Sequence, residues 1–187
     1  WSQLTSISAP AGSAGFGKAL DLRDGLLAIG APDGDGGSGR VAVYREGVTG
    51  FSAETLPVIP FAVFRAAGIS VGIDGGRLVA GSYESGTTSA ALFVFDRDAG
   101  GTWSYTGRIG SPDGAALFPD GFGNALSLRG RHLLAGAEWR ARDEGRAFAY
   151  IEGRDNSLTV DSLSPNQPVS GQPISIAGSV GNIDGPA

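Results

Sequence analysis

The chain has 187 residues, with 32 Gly, 10 Pro, no Cys, no Met, 41% hydrophobic residues and a net charge of −5. Gly without a three-residue period excludes collagen, the apolar content excludes a disordered chain, and the lack of Cys excludes a disulfide framework or a thiolate metal site. The acidic balance argues against a nucleic-acid partner, and no apolar run is long enough to span a membrane.

Trp1-Ser2-Gln3-Leu4 at the start resembles Trp103-Ser104-Tyr105-Thr106 further on. Residues 1–15 are therefore expected to be the end of a preceding unit, with Trp1–Leu4 its outer strand. The chain is accordingly read as a fragment or a processed product.

Three repeats follow, near residues 16–66, 67–121 and 122–160. The first opens with Phe16-Gly17-Lys18-Ala19-Leu20-Asp21-Leu22, turns at Arg23-Asp24-Gly25, and returns as Leu26-Leu27-Ala28-Ile29-Gly30-Ala31. The second aligns as Ala67-Gly68-Ile69-Ser70-Val71-Gly72-Ile73, a turn at Asp74-Gly75-Gly76, and Arg77-Leu78-Val79-Ala80-Gly81-Ser82. The third aligns as Phe122-Gly123-Asn124-Ala125-Leu126-Ser127-Leu128, a turn at Arg129-Gly130-Arg131, and His132-Leu133-Leu134-Ala135-Gly136-Ala137. A further strand keeps the register: Val41–Tyr44, Leu92–Phe95 and Ala147–Tyr150. From Gly17 to Gly68 and from Tyr44 to Phe95 is 51 residues; from Gly68 to Gly123 and from Phe95 to Tyr150 is 55. Length thus varies between repeats and not within them.

Alternation of apolar with polar or small residues predicts half-buried strands, and the Gly-containing turns predict hairpins. Trp103–Thr106 and Asn156–Val160 supply fourth strands to the second and third repeats. Four antiparallel strands per unit is the make-up of a propeller blade. Gly30, Gly81 and Gly136 suit a crowded position where units approach closely.

These residues resemble the FG-GAP repeat family, the blades of integrin α-subunit propellers and of many bacterial surface proteins. Phe16-Gly17 and Phe122-Gly123 match its Phe-Gly, and Gly30-Ala31-Pro32 its Gly-Ala-Pro. The linker Ser111-Pro112-Asp113-Gly114-Ala115-Ala116 is similar to the bacterial form. The second repeat departs, with Ala67-Gly68 and Gly81-Ser82, and the third carries Gly136-Ala137-Glu138. The resemblance covers about residues 1–153. It implies an all-β fold of about three four-stranded antiparallel blades over residues 1–160. Three blades make an incomplete ring, since propellers typically have four to eight. Completion is expected from other copies of the chain or from other fragments of a longer parent chain. Residues 161–187 read as a linker (Ser164–Pro173) and, at Ile174–Ala177, the first strand of an immunoglobulin-like module. That strand is expected to pair with a neighbouring subunit by strand addition.

Two motifs dissolve in context. Gly68-Ile69-Ser70-Val71-Gly72 has the spacing of a nucleophile elbow, yet it lies inside a repeated strand, and the single His, His132, aligns with Leu26 and Arg77. Gly34-Asp35-Gly36-Gly37-Ser38-Gly39 has the spacing of a dinucleotide loop, yet a strand follows it where a helix is needed. No paired-acid or His-rich constellation points to catalysis, so the chain is read as a non-enzyme without a required cofactor.

Asp33 and Asp35 in the same loop resemble part of the calcium loop of some integrin-like blades. Calcium takes six to eight oxygens, and the pattern would need acids at positions 37 and 41, where Gly37 and Val41 stand. Asp33 and Asp35 are the metal candidates, in a loop otherwise made of turn residues. Trp139, Arg140 and Arg142 are the binding candidates, because Trp and Arg are enriched at hot spots; packing against a next blade accounts for them equally well. The expected function is an extracellular or cell-surface module, of bacterial type, that is structural or adhesive. It would hold protein partners or copies of itself through blade faces and open strand edges. The alternative is a carbohydrate-binding lectin, against which stands the lack of a repeated aromatic: Trp139 aligns with Asp33 and Glu84.

Overall fold

The computed structural model describes residues 1–54, 65–83, 90–112, 121–138, 145–152 and 158–162. Within them the chain is all-β, as expected, and forms three four-stranded antiparallel sheets in which strands pair in sequence order. Sheet 1 holds β1 (Ala19–Arg23), β2 (Leu26–Ala31), β3 (Arg40–Gly47) and β4 (Gly50–Ala53), with a single turn of helix, α1 (Gly34–Gly37), between β2 and β3. Sheet 2 holds β5 (Arg65–Asp74), β6 (Arg77–Tyr83), β7 (Ala91–Arg97) and β8 (Trp103–Gly110). Sheet 3 holds β9 (Phe122–Arg129), β10 (His132–Ala137), β11 (Arg146–Glu152) and β12 (Leu158–Ser162).

The repeat read from the sequence is the repeat of pairing registers. Leu22 faces Leu27 and Leu27 faces Tyr44 in sheet 1; Ile73 faces Leu78 and Leu78 faces Phe95 in sheet 2; Leu128 faces Leu133 and Leu133 faces Tyr150 in sheet 3. The hairpin turns explain their own residues. Asp24 (φ 50°) and Gly25 (φ 73°), like Gly75 (φ 57°) and Gly76 (φ 81°), occupy the left-handed region that two-residue hairpins require.

Each sheet has a front face, toward the sheet before it in the chain, and a rear face, toward the one after. The rear of sheet 1 (Leu26, Ala28, Val41, Val43) packs against the front of sheet 2 (Val71, Ile73, Leu78, Phe93, Phe95) in one buried cluster. The rear of sheet 2 (Val79, Leu92, Val94) packs against the front of sheet 3 (Phe122, Leu128, Leu133, Phe148, Tyr150) in a second. The core therefore has two layers between sheets and a third, smaller cluster on the front of sheet 1, and alternation along each strand sends successive side chains into different layers.

Trp1–Leu4, expected as the outer strand of a preceding unit, has no regular structure, and Trp1 and Leu4 are exposed. The segment after it lies on the front of sheet 1, where Ile7 and Phe16 pack against Ile29, Ala42 and Tyr44. The third fourth-strand is described over Leu158–Ser162, ending two residues beyond the expected Val160, because its pairing sets Tyr150 opposite Val160 and Phe148 opposite Ser162. Ile174–Ala177 and the linker before it lie outside the described residues.

Candidate functional site

Trp139, Arg140 and Arg142 lie outside the described residues. Asp33 and Asp35 are described, and the loop keeps them apart in role. Asp35 takes a left-handed backbone (φ 48°) inside α1, which turns its carboxylate onto the Arg40 guanidinium in a two-pronged ion pair, Nε–Oδ2 2.9 Å and Nη2–Oδ1 2.8 Å. Arg40 also donates to the Ala11 carbonyl at 3.0 Å, and the Asp35 amide donates to the Gly12 carbonyl at 2.9 Å. Asp35 thus clips the N-terminal segment to sheet 1. Asp33 is exposed beside Gly15. Among the described residues, no three His, Cys, Asp or Glu side chains come together as a metal group. The Asp33 and Asp35 donor set does not fit calcium: one of its two carboxylates is committed to a guanidinium, and Gly37 and Val41 offer no further carboxylate.

Ser70, the centre of the elbow-like motif, donates its buried hydroxyl to the Gly123 carbonyl and so bridges sheets 2 and 3. His132 is exposed at the start of β10.

What the fold does assemble is a repeated junction, and its parts recur in order. The first part is apolar: Val71 and Ile73 in β5, and Leu128 in β9, are buried against the preceding sheet. The second is a close backbone approach. A Cβ placed on Gly30 would lie 1.9 Å from the Gly68 carbonyl oxygen, and one on Gly81 would lie 2.2 Å from that of Gly123. Gly68 (φ 89°) and Gly123 (φ 83°) hold the same left-handed-side backbone, which aims their carbonyls at the facing glycine. The third is a polar brace at the rim. Between sheets 1 and 2, Glu54 accepts hydrogen bonds from Arg45 (2.7 Å), from both arms of Arg97 (2.9 Å each) and from the Trp103 indole (2.9 Å). Between sheets 2 and 3, Arg77 pairs with Asp96 and with Glu152. A groove of about 420 Å³ beside this second brace is lined by Arg77, Val94, Asp96, Ile109, Tyr150 and Glu152; Arg77 there already has two carboxylate partners.

Burial works against ionisation of Glu54, but hydrogen bonds from Arg97, Trp103 and Arg45 outweigh it and hold the carboxyl below its ordinary 4.5. A depressed carboxyl contributes stability that is present above the unfolded value and lost as pH falls through the folded one. Glu54→Gln is expected to cost about 1–3 kcal/mol at pH 7, since it leaves two guanidiniums without their shared anion. It should also flatten the loss of stability below about pH 4.5. Urea unfolding of both proteins at pH 7 and pH 4 measures this; parallel curves at the two pH values would exclude the brace as the source.

Each end of the stack shows half of this junction. On the front of sheet 1, Leu20 is 63% and Leu22 52% exposed, at the positions where Val71 and Ile73 are buried. On the rear of sheet 3, Leu134 is 49% and Ile151 40% exposed, with Ala147 and Ala149 between them; Leu134 aligns with the buried Ala28 and Val79. The glycines follow suit. Gly17 (φ 91°), the counterpart of Gly68 and Gly123, has nothing within 4 Å of a Cβ. Gly136, the counterpart of Gly30 and Gly81, would meet only its own sheet's Ala125, at 3.6 Å or more.

The sequence marks Gly30, Gly81 and Gly136 as one kind of position, and the structure brings two of them to a partner. The Glu54 brace was not read from the sequence; its members are 9, 43 and 49 residues apart and carry no local pattern. Among the described residues, no helix is long and apolar enough to cross a membrane. No family model matches the chain, and neither does any curated protein.

Proposed function

We propose that the three sheets are successive blades of an FG-GAP-type propeller, and that the chain is an extracellular structural or adhesive module of a bacterial surface. It holds protein partners or further copies of itself through its end faces and open strand edges. One observation carries this. Leu20 and Leu22 align with Val71 and Ile73, buried where sheet 1 meets sheet 2, and Leu134 aligns with Ala28 and Val79, buried at the two junctions, yet all three leucines are about half exposed or more. Exposed apolar surface grouped on one face marks an interaction site more often than a scatter of single residues does. The sequential stacking of four-stranded antiparallel sheets and the Phe-Gly positions support the propeller reading.

Light scattering on the eluting protein, over a wide concentration range, tests the self-binding part. A mass above the single-chain 18.9 kDa is expected. A mass of one chain at every concentration overturns self-assembly.

A further inference from the structure

We infer that the two rim braces are a charge code that sets the order of the sheets, so that each sheet face accepts its own neighbour and turns away the others. Both braces lie at internal junctions, and their role is independent of the functional reading above.

Three positions are equivalent by backbone as well as by spacing. The Glu46 amide donates to the Gly25 carbonyl, the Arg97 amide to that of Gly76 and the Glu152 amide to that of Arg131, one turn bond repeated in each sheet. Arg97 faces Trp103 across β7 and β8 as Glu152 faces Leu158 across β11 and β12. Yet at this place the front of sheet 2 carries a guanidinium and the front of sheet 3 a carboxylate.

The rear faces answer in kind. On sheet 1 it is Glu54 that meets Arg97, in two contacts of 2.9 Å. On sheet 2 it is Arg77 that meets Glu152. The companions are inverted too. Arg45, opposite Leu26, holds Glu54 at 2.7 Å; Asp96, opposite Arg77 at the same place in its sheet, holds Arg77 at 2.7 Å. The first junction is one carboxylate between two guanidiniums, and the second is one guanidinium between two carboxylates.

The apolar layers discriminate weakly between the sheets. Val43 and Val94 hold the same place on two rear faces, Phe95 and Tyr150 on two front faces, and apolar burial is not directional. The braces do discriminate. The front of sheet 3 on the rear of sheet 1 would set Glu152 against Glu54. The front of sheet 2 on the rear of another copy's sheet 2 would set Arg97 against Arg77. It would also take away the acceptor of the Trp103 indole, because Gly107 stands opposite Val94 where the Glu54 amide is bonded to Val43. Arg45 and Asp96 are already engaged within their own sheets, so a wrong partner meets like charge. None of the four facing side chains is more than 25% exposed, so solvent screens that repulsion only in part. Like charges set together reject a wrong partner more strongly than the right pair attracts its own. A chain of similar units needs such selection, since misassembly between units is how repeat proteins fail to fold.

Inverting the second brace, by Arg77→Glu, Asp96→Arg and Glu152→Arg together, keeps opposite charges at every native pair but gives both junctions the polarity of the first. Glu152→Arg alone sets like charges together in the native junction and should lower the urea midpoint; the triple variant should restore it. After dilution from urea, the fraction of the triple variant that regains the native unfolding transition is expected to fall about twofold or more below the wild type's. Recovery at the wild-type level, with the midpoint restored, overturns the code. Salt gives a second measurement that needs no substitution. About 1 M salt shortens the screening length to about 3 Å, and should reduce recovery of the wild type. Where the triple variant does not regain its midpoint, this measurement decides: loss of recovery in salt supports the code, and wild-type recovery indifferent to salt overturns it.

Discussion

Gly30→Ala is expected to destabilise the protein by about 3 kcal/mol or more, the upper end of what overpacking costs. The reason is the nature of the obstructing atoms. The Cβ would lie 1.9 Å from the Gly68 oxygen and 2.9 Å from the Gly68 carbonyl carbon, all backbone. A side chain could rotate away; this is a backbone carbonyl, in a bulge of β5 held on either side by the Arg65–Tyr83 and Ser70–Gly81 pairs, so it moves only with the strand. Gly30 is equally fixed, in the strand between β1 and β3. The remaining relief is to move sheets 1 and 2 apart, which opens the buried layer of Val41, Val43, Ile73 and Phe93. The same substitution at Gly136 should change the stability of an isolated chain by no more than about 0.5 kcal/mol. Urea unfolding of both variants, with slopes compared to confirm a common unfolding reaction, decides the matter. Equal effects at the two sites would mean that the notch between sheets is not what demands glycine.

Phe122→Ala is expected to cost about 3–5 kcal/mol. Phe122 is completely buried and meets Phe148 edge-on at 5.6 Å and Tyr150 at 6.4 Å. The pair geometry adds to the transfer term, and rigid sheets on both sides limit collapse of the cavity left behind. Phe16 occupies the same place in its repeat but is only half-buried, packed against Ile29, Ala42 and Tyr44 on a face with no sheet beyond it. Phe16→Ala should therefore cost clearly less, about 1–2 kcal/mol in proportion to the apolar area it removes from contact. Thermal or urea unfolding of the two variants measures the difference. If Phe16→Ala proved as costly as Phe122→Ala, the front of sheet 1 would be as well covered as the internal junctions, contrary to the exposure of Leu20 and Leu22.

Much of the fold was legible in the sequence because a sheet repeat writes itself locally. Alternation of Leu20, Leu22 or Leu126, Leu128 with polar neighbours follows from the two-residue period of a strand. Turn positions such as Asp24-Gly25 and Gly75-Gly76 follow from the need for positive φ. Constant spacing inside each repeat follows from fixed pairing registers. The site was less legible. Asp33 and Asp35 are metal candidates only by the resemblance of their loop to a calcium loop, and nothing local shows that the place of Asp35 on α1 directs it to Arg40, which comes from the next strand. Nothing local distinguishes Glu54 from any other strand-end acid, although three donors converge on it from two sheets.

By itself the sequence determined the three repeats, their strands and turns, and the equivalence of Gly30, Gly81 and Gly136, because each depends on backbone preferences and periodicity over a few residues. Which of those equivalent positions are filled was decided by the tertiary structure alone. Leu22 and Ile73 have the same place in the pattern, but one is half in water and the other fully buried, since only the second has a sheet in front of it. Burial is a property of what stands opposite, and a local pattern cannot report whether anything does.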